Sequence, residues 1–420
     1  QDRVFLDATI RNDASSRFGA ATRNGMFWAA GAKWDLKKED FFAGIRDINA
    51  LSLRLSYGTQ GNASIGNYNS LALIGSSSKY ADEASLVVAQ PANPLLGWEK
   101  QGLFTATLSG RYMNRIDFEL SYYNRKTSDM LMDVPYPYTS GYSSSYANVG
   151  GLLNHGFDID LGINLVRGRN YTLDFDITFS RNWEKITELF NGLDRWEIAN
   201  TGVAYKVGSP VMFYMPLYAG VNKETGLPQW YLPYTDEETG EVDKDICNMD
   251  PSRVTDQFDE ESLIQNTGIQ RHEPINGGFG LSGRYGKFYG RVDFAFVIGK
   301  YLLNNDAYFF ANPNVFVGEN QAKEVSDFWT PSHTDAKYPD WSQGAQMQFD
   351  THMLEDASFL RLKTLMVGYN ITDNLNVTLT GRNLLTATKY SGMDPEVDSN
   401  LTLGIPGNTR QVLVGIELNF

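Results

Sequence analysis

Apolar and polar residues alternate along most of this chain, and a period of two places successive side chains on opposite faces of a strand. The last ten residues show it most fully. Val412, Val414, Ile416, Leu418 and Phe420 share one parity, and Leu413, Gly415, Glu417 and Asn419 share the other. The same rule marks strands over Arg3 to Arg11, Gly25 to Trp34 and Leu51 to Tyr57. It marks further strands over 104–109 and 116–122, 157–165 and 171–180, and 279–281 and 288–296. Phe359 to Tyr369, Leu375 to Leu379 and the final segment bring the total to about twelve.

The connections alternate as well. Tyr112–Arg115, Arg167–Asn170, Tyr285–Lys287 and Thr372–Asn374 read as tight turns, and long loops fall near 58–100, 127–150, 183–275, 298–356 and 385–410. Short turns at one end and long loops at the other are the signature of an up-and-down outer-membrane barrel, with the long loops extracellular. That order puts both ends of the chain on the side of the short turns. Segment 35–49 is the one connection on that side longer than expected, with room for a short helical turn.

On several of these strands the polar parity carries charge: Asp117 and Glu119, Asp158 and Asp160, Asp174 and Asp176, Arg291 and Asp293. In a transmembrane barrel the apolar set meets lipid and these residues face a wet lumen. In a soluble sandwich the apolar set lines the core and they face water. Alternation alone does not choose. Loop order, strand length and the terminal Phe420 favour an all-β, antiparallel up-and-down transmembrane β-barrel. The alternative is a surface or secreted all-β glycan-binding protein without transport activity.

Composition narrows the choice further. Fifty acidic residues against 36 basic ones give a net charge of −14, which excludes nucleic acid as a partner. The single cysteine, Cys247, allows no internal disulfide and no cysteine ligand cluster. No apolar run approaches the ~18 residues of a membrane helix, as expected where only alternate residues meet lipid. The opening QDRVFLDATI is strand-like rather than an export signal. For an exported protein, the start is then expected to be processed, truncated or internal.

Candidate chemistry is sparse. His155, His272, His333 and His352 lack metal-ligand spacing, and Gly277–Gly280 lacks the Lys-Ser/Thr of a phosphate loop. No catalytic set emerges, so no enzymatic activity and no cofactor are expected. The acidic stretch 234–250, YTDEETGEVDKDICNMD, offers carboxylates to Ca²⁺ without the spacing of an EF-hand. Aromatic residues are dense in the long loops, where Trp183, Tyr205, Tyr214, Tyr218, Tyr234 and Tyr338 lie. Trp196, Trp230, Tyr231, Trp329 and Trp341 are the candidate substrate-binding residues, because flat rings stack on sugars and bury peptide side chains.

Longer motifs carry a family signal. RNDASSRFG, LSLRLSYGTQGN, NPLLGWEK, YYNRKTSDML and NVGGLLNHGFDIDL are followed by DFWTPSHTDAKYPDW, DASFLRLKTLMVGYNI, GRNLLTATKYSGMDPEV and GIELNF. In these stretches, and from end to end, the chain resembles the C-terminal barrel portion of a SusC-type TonB-dependent outer-membrane transporter of the SusC/RagA family. The resemblance implies a barrel of about 22 strands with a plugged lumen, in the outer membrane of a Gram-negative bacterium. It implies import of oligosaccharides or oligopeptides, a SusD-type surface lipoprotein as lid, and drive from the TonB complex through an N-terminal segment. The plug and the earlier strands are expected from elsewhere. Gln411 to Phe420 is accordingly expected to pair with a strand outside this sequence rather than with residues 3–11.

Overall fold

The computed structural model describes residues 2–76, 79–80, 83–198, 201–397, 404 and 406–419. Phe420, the terminal aromatic of the sequence argument, lies outside the described residues. Twelve long strands form the wall. They are β1 (Val4–Ala14), β2 (Asn24–Trp34), β3 (Ile48–Asn62), β4 (Glu99–Tyr112), β5 (Ile116–Ser128) and β6 (Gly151–Arg167). After them come β7 (Tyr171–Glu188), β8 (Ile275–Tyr285), β9 (Phe288–Ile298), β10 (Phe359–Asn370), β11 (Leu375–Thr388) and β12 (Gln411–Leu418). They follow one another in the sheet in chain order, from β1 at one end to β12 at the other. β12 pairs antiparallel with β11 from Leu375↔Leu418 to Arg382↔Gln411.

Several strands run into the expected loops, β5 among them, which reaches Ser128 where a loop is expected from 127. β3 continues to Asn62, β7 to Glu188 and β11 to Thr388, so the loops expected from 58, 183 and 385 begin inside strands. The backbone ladder persists in β3 although both parities have turned polar, and in β7 and β11 although Trp183, Ile186, Leu384 and Leu385 no longer keep one parity, so the alternation rule loses its signal. The 35–49 connection does hold helical turns, at Leu36–Lys38 and from Asp40. Glu39 anchors it, taking an ion pair from Arg3 at 2.9 Å and the indole N–H of Trp34 at 3.0 Å.

The chain divides into two compact units: residues 1–164 with 176–196 and 206–209, and residues 165–175 with 197–205 and 210–420. In both, the apolar parity of the wall is uncovered. In the first, Leu6, Ile10, Leu120, Tyr122 and Phe157 are exposed. In the second, Val367, Leu379 and Val414 sit side by side on β10, β11 and β12 and are 53%, 54% and 70% exposed. Soluble monomers rarely expose apolar patches beyond a few hundred Å². A sandwich buries this parity, so the sandwich alternative fails on burial.

The buried core lies in the connections instead. Phe18, Ile65 and Leu96 form one cluster in the first unit. Ala311, Val325, Tyr338 and Met347 form another in the second, and Leu302, Ala357 and Tyr390 a third. The wall itself is filled by rings lying over glycines. A Cβ on Gly110 would meet the Phe118 ring at 2.6 Å, and one on Gly368 would meet Tyr289 at 2.2 Å. Cross-strand aromatic cover of this kind restores contacts that glycine lacks in a strand.

Candidate functional site

The connection from β7 to β8 is a folded layer rather than a loose loop. Val203–Lys206, Met212–Pro216 and Ile264–Gln270 pair antiparallel, as do Tyr218–Val221, Pro228–Tyr231 and Val254–Thr255. Val211, Phe213, Met215 and Leu217 are all buried, a period-two pattern inside a stretch whose length alone reads as loop. Two five-residue turns, NKETG at 222–226 and DEETG at 236–240, share one hydrogen-bond scheme. The Asn222 side chain accepts from the N–H groups of Glu224 and Thr225, at 2.8 and 3.2 Å. That of Asp236 accepts from Glu238 and Thr239, both at 2.8 Å. Gly226 and Gly240 close the turns at φ +76° and +73°. These N–H bonds hold the Asp236 carboxyl below its usual range.

The acidic stretch is therefore built from local turns. Asp243 accepts from the N–H of Asp245, Asp245 from the Tyr214 hydroxyl, and Asp250 from the N–H of Ser252. Among the described residues, no three His, Cys, Asp or Glu side chains converge on one point.

Asp350 is the polar centre of this layer. It is 2% exposed and accepts from the Trp230 indole at 2.7 Å and from the N–H of His352 at 2.8 Å. Burial pushes its carboxyl up to about 7, against the lowering effect of those two donors. Burial, followed by the charge of Lys337, pulls His352 down to about 4. The His352 ring packs 4.7 Å from Tyr218 and 5.9 Å from Tyr338. Burial raises the hydroxyl of Tyr338, reinforced by Glu324, which accepts from it at 2.9 Å. His352 stands out in the sequence only for lacking metal-ligand spacing, and Asp350 carries no local signal because its donor Trp230 lies 120 positions away.

The five candidate aromatics differ in burial. Trp230, 2% exposed, is sealed beneath the layer, so its ring has no face for a solute. Trp329 is buried too. It donates to the carbonyl of Lys223 at 3.1 Å and lies where a Cβ on Gly226 would be, 2.6 Å from its ring. Tyr231 and Trp341 are half-buried, and Trp341 rests 5.8 Å from Tyr338. Trp196, also half-buried, meets Phe190 edge-on at 5.1 Å in the first unit. Partly open rings thus remain at Trp196, Tyr231 and Trp341.

The charged residues of the wall lie on its polar parity. Asp117, Glu119, Asp160 and Asp176 line one 510 Å³ depression with Ser52 and Ser109. Glu119 and Asp160 are direct register partners, an arrangement that like charges tolerate only when well solvated or met by a cation. Asp117 is paired with Arg111, and Asp158 accepts from Ser180 at 2.6 Å. In the second unit, Arg291 and Asp293 form an ion pair at 2.8 Å, and Asp174 is half-buried.

A buried ionic knot fastens the β11–β12 connection to β10. Arg361 pairs with Asp394 and, at 2.9 Å, with Glu396, while Lys363 also reaches Glu396. Burial alone would raise Asp394. Arg361 and the N–H groups of Asn408 and Glu396 outweigh it and bring the carboxyl to about 2.

No protein-family model matches the chain. It is 26% identical over 463 aligned residues to TonB-dependent receptor P3 of Formosa agariphila, with 100% of this chain and 44% of that protein covered. It is 25% identical over 452 residues to TonB-dependent receptor SusC of Bacteroides thetaiotaomicron, covering 100% of this chain and 42% of that one. Among solved structures it superposes on the RagAB peptide transporter with a TM-score of 0.87 and 36% identity, covering 100% of this chain and 46% of that chain. The chain thus spans less than half the length of the relatives it matches. Its similarity to SusC-type TonB-dependent receptors runs from end to end.

Proposed function

We propose, from a chain whose whole length is similar to SusC-type TonB-dependent receptors of the outer membrane, that it forms the C-terminal part of the barrel wall of a nutrient importer, together with the loops that meet substrate and lid. The observation that carries this is the exposed apolar parity of the wall, with the hydrophobic core displaced into the connections. The apolar side meets lipid. Asp117, Glu119, Asp158, Asp160, Asp174, Asp176, Arg291 and Asp293 face a wet lumen, where the unpaired Glu119–Asp160 juxtaposition suits cationic groups of a plug. The packed layer on 210–275 and 298–359 stands outside the membrane. In the second unit it offers the partly open rings of Tyr231 and Trp341 to cargo or to a SusD-type lipoprotein, and Trp196 is a further contact on the first unit. Trp230 and Trp329 act as struts of that layer.

The work is import driven through TonB rather than catalysis. Cargo is an oligopeptide or an oligosaccharide. The 36% identity with a peptide transporter, against 25% with SusC, makes peptides the first class to test. The test is uptake of labelled oligopeptides and oligosaccharides by cells carrying the full-length transporter with its lipoprotein partner. Accumulation that stops when TonB is deleted supports the reading. Accumulation indifferent to TonB, or a protein recovered in buffer without detergent, refutes it.

A further inference from the structure

The wall's charge is sorted by face, and one patch breaks the sorting. On β5, β6 and β7 the polar parity is acidic, with Asp117, Glu119, Asp158, Asp160 and Asp176. The opposite, lipid-side parity is apolar through Tyr122 and Phe157, which are register partners. Above them the register continues as Asn124↔His155 and Lys126↔Leu153. Arg181, Trp183 and Lys185 share this parity on β7 with Tyr171 and Leu173. The Arg181 guanidinium lies 4.7 Å over the Trp183 ring. That ring stacks on His155 at 5.6 Å and meets Phe157 edge-on at 5.4 Å.

Two features mark the patch as unfinished. The Nε of Arg181 and the Nδ1 of His155 are buried and have no hydrogen-bond partner. Lys126 and Lys185 are exposed beside them. A cation on a lipid-facing surface is costly unless it meets an anion. A guanidinium stacked on an indole keeps its N–H edge free for two oxygens of a phosphate.

Height fixes where that anion comes from. Lys126 is ten residues beyond Ile116, the first residue of β5 after its tight turn, and four beyond Tyr122. At ~3.3 Å per residue and a tilt of ~40°, this is about 25 Å, the height of the apolar band of an outer-membrane barrel. Lys126 therefore stands at the rim where hydrocarbon gives way to headgroups, with the stack of Arg181, Trp183 and His155 beside it.

We propose that Arg181, Lys126 and Lys185, steadied by Trp183 and His155, bind the phosphate of an outer-leaflet membrane lipid on the outside of the wall. The lipid's acyl chains run down over Phe157 and Tyr122, so one molecule is held by charge at the rim and by apolar contact below. The site lies on the face opposite the transport path and adds a lipid-anchoring role to the import reading, on whose barrel orientation it rests.

The test uses the full-length transporter reconstituted into phosphatidylcholine vesicles doped with a phosphorylated glycolipid, or with the same lipid after enzymatic dephosphorylation. Lipid retained per protein is measured by native mass spectrometry after extraction. Retention of the phosphorylated form is expected, with roughly tenfold weaker binding for Arg181→Gln, the loss of one charge-assisted contact, and partial rescue by Arg181→Lys. The double variant Lys126→Gln with Lys185→Gln gives a second reading should Arg181→Gln not assemble. Equal retention of both lipids, or unchanged retention in the variants, overturns the proposal while leaving the barrel intact. Displacement of the lipid by inorganic phosphate alone overturns the lipid assignment in favour of free phosphate. Failure of the wild type to insert into vesicles overturns the barrel reading itself.

Discussion

Leu379 offers the sharpest test of which face meets lipid. Its register partners are Val367 and Val414, and the three side chains make an apolar strip exposed at 53–70%. Leu379 lies five residues above Asn374 in the turn before β11. That distance is about 13 Å along the barrel axis, close to the middle of a ~25 Å apolar band. A lysine at that depth costs about 2–4 kcal/mol. The next residue, Thr380, faces the other way, opposite Met366 and Leu413, where a lysine meets a wet interior and costs little. The experiment compares Leu379→Lys with Thr380→Lys in the full-length protein, reading the fraction assembled in the outer membrane and the urea dependence of refolding into phosphatidylcholine vesicles. Leu379→Lys is expected to lose most assembled protein and to lower refolding stability by the stated amount, with Thr380→Lys near wild type. If the two variants behave alike, or Thr380→Lys is the worse, the apolar parity does not face lipid and the orientation of the wall is wrong.

Other outcomes follow from the connections. Asp350 has its folded pKa raised to about 7, so its contribution is fully present below the unfolded value near 3.8 and is lost as pH rises through 7. Asp350→Asn keeps the acceptor for Trp230 and removes the titration. It is expected to match wild type near pH 4 and to be more heat-stable at pH 8, by roughly 4 kcal/mol at most; a melting scan at both pH values checks it. Asp394 is depressed to about 2, so its contribution is present above the unfolded value and fades as pH falls from about 4 through 2. Asp394→Asn leaves the buried Arg361 with Glu396 as its remaining carboxylate and is expected to cost about 1–3 kcal/mol, visible as protease cutting within 389–410. Asp236→Asn copies the Asn222 turn, so melting temperature is expected to move little, with or without millimolar Ca²⁺. A Ca²⁺-dependent rise in wild type that Asp236→Asn abolishes defeats the turn interpretation.

The wall was legible in the sequence because its physics is local. Each strand pair repeats the same alternation, and a tight turn such as Arg167–Asn170 fixes register without help from distant residues. The connections were not legible in the same way. Phe213, Met215 and Leu217 alternate as clearly as any wall strand, yet they sit amid Tyr and Pro in a segment too long to be one hairpin. Their partners, including Ile264 and Gln265 opposite Pro216 and Met215, are some fifty positions away. The twin turns NKETG and DEETG were a readable signal: an Asn or Asp followed four positions later by Gly closes the same loop twice. Reading the second as an acidic cluster counted charges where the geometry uses Asp236 as a turn acceptor.

The same distinction separates the five candidate aromatics. A tryptophan rich in neighbours and a tryptophan open to a ligand have identical local sequence, and only long-range packing tells them apart. Trp230 is committed by Asp350, 120 positions away, and Trp329 by Lys223, 106 positions away. A buried indole that has found an acceptor is fully satisfied, so moving it toward cargo would break that bond and open the layer. At the edge of the layer the half-buried Tyr231 ring keeps a free face at no such cost, whereas Trp341, partly open, also donates to the Val325 carbonyl at 3.4 Å and packs on Tyr338. Recognition is therefore expected from the half-buried rings, while the sealed ones set the stiffness of the surface on which cargo and lid meet. Tyr231→Ala should then weaken cargo uptake with little change in melting temperature, and Trp230→Ala should lower the melting temperature first.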